Sequence, residues 1–97
     1  MEIIELSFDK KDIIYDNKVR KSDKGRGKVY LKDKYLGKRV YVFFEYEKVK
    51  QDEPKKRKIK IDEILNKGVR SEGQKDSAIH LDKKYVGRQC IIIPIDD

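Results

Sequence analysis

His80 and Cys90 are the side chains best suited to nucleophilic or metal chemistry in this 97-residue sequence, and there is one of each. A zinc site needs several His, Cys or carboxylate ligands at short spacings, and neither residue has such companions. No structural metal is expected. A catalytic thiolate needs an adjacent base, whereas Cys90 sits in the apolar run QCIIIPI, where a cysteine packs as a small hydrophobe. Gly25-Arg26-Gly27 is not a phosphate cradle, because neither a dinucleotide nor a Walker spacing follows it and no long helical pattern does. Pairs such as Asp62-Glu63 are ordinary among 18 acidic residues. These readings predict a protein that is not an enzyme and uses no cofactor.

The remaining chemistry is positive charge. Lysine and arginine number 25 against 18 acids, a formal charge of +7, which favours polyanionic partners through counterion release and steering. A solvated surface of mixed charge, as in proteins that work hot, is the blander reading. Threonine is absent and alanine occurs once among many lysines, isoleucines and tyrosines, a composition that points to an AT-rich, thermophilic source. A lone cysteine permits no intrachain disulfide and fits a reducing compartment. The N-terminal run MEIIELSF is interrupted by Glu5, and no stretch approaches the roughly 18 apolar residues of a membrane span. A cytoplasmic protein without a membrane partner is expected.

The elements that position these charges come from a repeat. A shift of fifty residues places Asp12 on Asp62, Ile14 on Ile64, Val19 on Val69, Arg20 on Arg70, Leu31 on Leu81, Lys34 on Lys84, Tyr35 on Tyr85 and Gly37 on Gly87. Two duplicated units are the simplest account. Residues 9–47 form the first unit and 61–97 the second, with a basic linker over 48–60, all in one domain of 1–97. Each unit reads as a strand (Ile13–Arg20 in the first), a polar hairpin loop, a short strand (KVYL or AIHL), one helical turn closed by glycine, and a long strand (KRVYVFFEY or RQCIIIPI).

Val40, Val42 and Phe44 share one face of the first long strand, yet Tyr41 and Phe43 on the other are apolar too, so both faces need partners. Pro94 belongs near a strand end or on an edge. The fold class expected is mainly β: a pseudo-two-fold small β-barrel in which two strand-hairpin-turn-strand units interlock around their long strands. An SH3-like barrel, or two chains pairing to give four units, are the alternatives. In the linker, Lys55 to Lys58 form a basic run that reads either as a phosphate-gripping strap or as a solubilising connector. KIKI at its end and IIELSF at the N-terminus alternate well enough to be extra strands.

Val19-Arg20-Lys21, Asp23 and Gly27-Lys28-Val29-Tyr30-Leu31, followed by the short turn ending at Gly37, resemble the AbrB/MazE swapped-hairpin family of DNA-binding domains, including its short archaeal members. The likeness spans about Ile14 to Tyr46 well and Ile64 to Ile95 less well. It implies two interlocked hairpin units and a DNA-facing set of Arg20, Lys21, Arg26 and Lys28, with Lys24 in the same loop. Lys32 and Asp82 depart from the proline common in the family. Ser77-Ala78 replace Gly27-Lys28, and the second loop carries Glu72 and Asp76, which leaves Arg70 and Lys75 as its main positive groups and implies a lopsided grip.

The function expected is a small transcriptional regulator that binds double-stranded DNA, with Arg20 and Arg26 as base-edge candidates because a guanidinium can grip guanine bidentately. Lys83 and Lys84 are expected to matter less. The second hypothesis is a protein-interaction module, such as an antitoxin or an accessory factor for an acidic partner, or a homodimer. RNA binding by the same face would look alike, although no single-strand recognition motif is present.

Overall fold

Residues 27 to 31 show the period of two that makes a half-buried strand: Gly27, Val29 and Leu31 are buried and Tyr30 is exposed. Val40, Val42 and Phe44 repeat the pattern in the first long strand with no exposed surface at all. The computed structural model describes residues 3–22, 24–72 and 76–95. Among these the strands are β1 (Ile4–Asp9), β2 (Tyr15–Lys18), β3 (Arg20–Lys21), β4 (Gly27–Leu31), β5 (Arg39–Glu47), β6 (Lys56–Gly68), β7 (Arg70–Glu72), β8 (Asp76–Leu81) and β9 (Gln89–Pro94). The protein is mainly β, in two antiparallel sheets of order β1-β6-β5-β9-β2 and β3-β4-β8-β7. Among the described residues the strand pairings give these two sheets and no closed barrel.

Strand register carries the repeat into space. Val29 lies opposite Ile79 on β4 and β8, and Val42 lies opposite Ile92 on β5 and β9. Each of the four therefore faces its own counterpart fifty positions away, as a two-fold axis through both pairs requires. Registers away from the axis agree: Tyr15 opposes Ile92 as Leu65 opposes Val42, and Arg20 opposes Lys28 as Arg70 opposes Ala78.

The expected first strand, Ile13–Arg20, is bent rather than straight. Buried Val19 separates β2 from β3, and buried Val69 separates β6 from β7, so the chain passes from one sheet to the other at these two corners. Each corner is held by the opposite unit. Val19 N–H donates to the Arg88 carbonyl at 2.9 Å and its own carbonyl accepts from Gly87; Val69 N–H donates to the Lys38 carbonyl at 2.8 Å and its carbonyl accepts from Gly37. Gly37 and Gly87 close the 3-10 turns Asp33–Tyr35 and Lys83–Tyr85 with φ of +80° and +90°, a conformation that disfavours any side chain.

The two units share one core. β5 of the first unit lies between β6 and β9 of the second. Between the sheets pack Val19, Val29, Leu31, Val40, Val42 and Phe44 with Val69, Ile79, Leu81, Cys90 and Ile92. The Tyr85 ring stacks on Phe44 with centroids 4.3 Å apart. Cys90 has no exposed surface, and burial pushes its thiol up to about 12, so it is a packing residue. Pro94 ends β9.

The other face of β5 has its own cover. Phe8 lies opposite Arg57 and Phe43 opposite Ile64, seven residues apart on β6, a separation of about 23 Å along a straight strand at ~3.3 Å per residue. Their rings are nevertheless 5.2 Å apart. β6 is therefore strongly coiled, with register shifts in its pairing to β5 between Phe44 and Glu47. Its first half and β1 fold back over β5 and β9, where Ile59, Ile61 and Ile91 pack with Leu6, Phe8, Ile13, Phe43 and Ile93. Arg57 reaches Asp16 on the far edge strand and also Glu45, a charge cluster that fixes the flap across the sheet.

The linker expected over 48–60 ends earlier. Lys56, Arg57 and Lys58 belong to β6, so most of the basic run lies on a strand. KIKI lies within β6 and IIELSF largely within β1, as their alternation suggests.

Candidate nucleic-acid interface

Because Val29 and Ile79 point into the core, their neighbours in sequence occupy the outer face of the four-stranded sheet. Arg20 opposes Lys28, Lys28 opposes His80, and Tyr30 and Arg70 both oppose Ala78. That face is basic, with Tyr30 exposed at its centre and the Lys28 ammonium 5.5 Å from the Tyr30 ring centroid.

At one end of this face stands the first hairpin loop. Ser22 N–H donates to the Arg26 carbonyl at 2.7 Å and Gly25 N–H to the Ser22 carbonyl at 2.9 Å, while Gly25 takes a φ of +80° to turn the chain. Gly27 permits a close approach: a Cβ there would meet Val19 Cγ1 at 2.9 Å and the Asp82 carbonyl at 3.2 Å. The hairpin thereby seats against the end of β8 with Lys24 and Arg26 exposed.

Between this loop and the corner at Val69 lies an open groove of about 1010 Å³. Lys24 and Arg26 line it from the loop, Arg39 from the start of β5, Lys67 and Arg70 from either side of the corner, and Lys83 from the second turn, together with His80. Among the described residues, Asp82 is the one carboxylate in the lining. Six cationic side chains from both units thus converge on one concavity. A smaller cavity of about 260 Å³ is lined by Asn17, Arg20, Tyr30 and Lys32. Adding fifty converts these residues to Lys67, Arg70, His80 and Asp82, so the two cavities are the same place in the two halves. Only one is strongly basic.

The arginines divide by partner. Arg57 is engaged by Asp16 and Glu45, and Arg88 by Asp62, so carboxylates offset those charges. Arg39 is held by an uncharged amide instead. Its Nε donates to Asn66 Oδ1 at 2.6 Å and its Nη2 to the Asn66 carbonyl at 3.3 Å.

Of the residues expected from sequence, Lys24, Arg26 and Arg70 come together in the large groove, whereas Arg20 lines the smaller cavity. Lys28 lies on the sheet face between them, and Lys21, opposite Gly27, is exposed on β3 outside both cavities. Lys75 lies outside the described residues. Lys83, expected to matter less, also lines the groove, whereas Lys84 lies 5.1 Å from the Tyr85 ring centroid. Arg39 and Lys67 were missed by sequence reading. Interlocking itself was the signal that could have found them, since exchanging long strands between units brings the start of β5 against the end of β6, where Arg39 opposes Gly68.

Among the described residues, no group of three or more His, Cys, Asp or Glu side chains is placed to hold a metal ion, and no helix is long and apolar enough to cross a membrane. Comparison with protein-family models, with curated proteins and with solved structures finds no match for this chain. The functional reading therefore rests on the geometry of the groove.

Proposed function

We propose that this protein binds double-stranded DNA as a small transcriptional regulator, laying the outer face of its four-stranded sheet and the adjoining groove against the phosphate backbone. The observation that supports this reading is the convergence of six cationic side chains against one carboxylate in a single open groove. Such a concavity concentrates positive potential where a polyanion can enter, and neutralised phosphates supply most of the affinity of such complexes. We read the fold as a swapped-hairpin arrangement of the AbrB/MazE kind, with the buried corners at Val19 and Val69 joining the two sheets. Arg26 and Arg70 are the groove's candidates for base edges, and the lysines are point charges for phosphates.

Gel-shift titration of a DNA duplex at two salt concentrations tests the proposal. Replacing Arg26 and Arg70 with alanine should weaken binding strongly; the log-log salt slope should fall by ~0.9 for each of the two that meets a phosphate and hold for each that reads a base edge. The same change of charge at Lys55 and Lys56, exposed where the connector enters β6, should matter little. Equal losses from both pairs would show that only net charge is at work.

A second reading, an interaction module for another protein, is favoured by Tyr41 and Ile64, which remain 40% and 46% exposed on the five-stranded sheet. Absence of a mobility shift at low salt would favour it over the first.

A further inference from the structure

An arginine that grips a phosphate must first give up the freedom of its long side chain, and one already fixed in the free protein binds with less loss. Arg39 has this property in the groove. Its guanidinium is fastened at Nε and Nη2 to the side chain and backbone of Asn66, and it lies over Gly68, where an added Cβ would stand 3.5 Å from Nη1. Because the fastening group is an amide, it leaves the positive charge in place, unlike the carboxylates that hold Arg57 and Arg88. The arrangement also belongs to one half only. The counterparts of Arg39 and Asn66 are Gln89 and Asp16, and Asp16 is engaged by Arg57.

We infer that Arg39 is a preset phosphodiester-binding fork within the large groove and that Asn66 is its positioning residue. This rests on the duplex-DNA reading above. Arg39 supplies charge and fork geometry to a backbone phosphate beside the groove; Asn66 touches no phosphate and acts by holding the guanidinium in place.

The test is the salt dependence of binding to a fluorescently labelled DNA duplex, measured for Arg39→Ala, Arg39→Lys, Asn66→Ala and the double variant Arg39→Ala/Asn66→Ala. Arg39→Ala should weaken binding and lower the log-log slope by about 0.9. Asn66→Ala should weaken binding about two- to tenfold with the slope unchanged, since a charge is loosened and not removed. Arg39→Lys should behave like Asn66→Ala, and it keeps the inference open to refutation should the Asn66 variant unfold. In the double variant the loss of Asn66 should add nothing to the loss of Arg39.

Wild-type affinity in Asn66→Ala, or a further loss when Asn66 is removed from the Arg39→Ala background, overturns the inference. If Arg26→Ala/Arg70→Ala binds weakly while Arg39→Ala binds normally, the fork fails and the groove reading stands. If the unaltered protein shows no salt-dependent binding, both fall.

Discussion

Val29 of the first unit lies directly opposite Ile79 of the second, and both are buried in the core between the sheets. A residue paired with its own repeat counterpart belongs to neither half alone. Ile79→Ala should therefore lower global stability by about 2–5 kcal/mol, the usual cost of emptying a packed isoleucine site. Urea unfolding followed by tyrosine fluorescence and by circular dichroism should give one coincident, shifted transition. Separate transitions for the two probes would mean that the halves fold apart.

The flap formed by β1 and the first half of β6 is a different case, because it packs on the outer face of β5 through Phe8 and Phe43. Phe8 is partly buried, so Phe8→Ala should cost about 2 kcal/mol, less than the ~3–5 of a fully buried phenylalanine. Hydrogen exchange should show the loss locally: protection should fall in β1 and the first half of β6 while β4 and β8 keep theirs. A uniform fall would show that the flap is integral to the main core.

Alkaline pH should weaken the fold from about pH 9 upward. Burial raises the Cys90 thiol from 9.0 to about 12, and burial beside the Glu63 carboxylate raises the Tyr85 hydroxyl from 10.0 to about 12. In both groups the native state holds the proton longer, so above the unfolded value the unfolded chain binds fewer protons and stability declines with pH. That stability is complete below pH 9 and is lost as pH rises toward 12. In Cys90→Ala the decline in urea midpoint should begin nearer pH 10, leaving the Tyr85 contribution; an unchanged onset would show that the thiol is not the group responsible.

How much of this was written in the sequence depends on the distance over which each signal acts. Gly37 and Gly87, one shift apart, locate both turns, and the apolar character of Phe43 as well as Phe44 marks a strand covered on both sides. The cover on the second side was not legible, because the coil of β6 that brings Phe8 to Phe43 is a tertiary property without a local residue signature. In the same way, Lys24, Arg26 and Arg70 announce themselves in or beside a polar loop, whereas Arg39 and Lys67 enter the groove only through strand exchange. Lys55 to Lys58 looked like a linker because charge masks the alternation of a strand whose apolar positions, Ile59 and Ile61, come only afterwards.

The two halves also make opposite demands on a pair of equivalent arginines. By sequence Arg20 is, with Arg26, a base-reading candidate, since a guanidinium can grip guanine bidentately. In the fold Arg20 lines the small cavity with Asn17, Tyr30 and Lys32, while its counterpart Arg70 lines the large groove with Arg26, Arg39 and Lys67. Potential adds where cations converge, so a polyanion would be drawn most strongly to the arginine with cationic neighbours. Arg70→Ala should therefore reduce duplex affinity more than Arg20→Ala, with a salt slope lowered by about 0.9 if the arginine meets a phosphate. If Arg70 reads a base instead, the slope should hold and discrimination between sites should fall by about 1–3 kcal/mol. Titrating both variants against the same duplex separates the cases; a larger loss from Arg20→Ala would place the DNA on the first hairpin and its sheet face instead of in the groove.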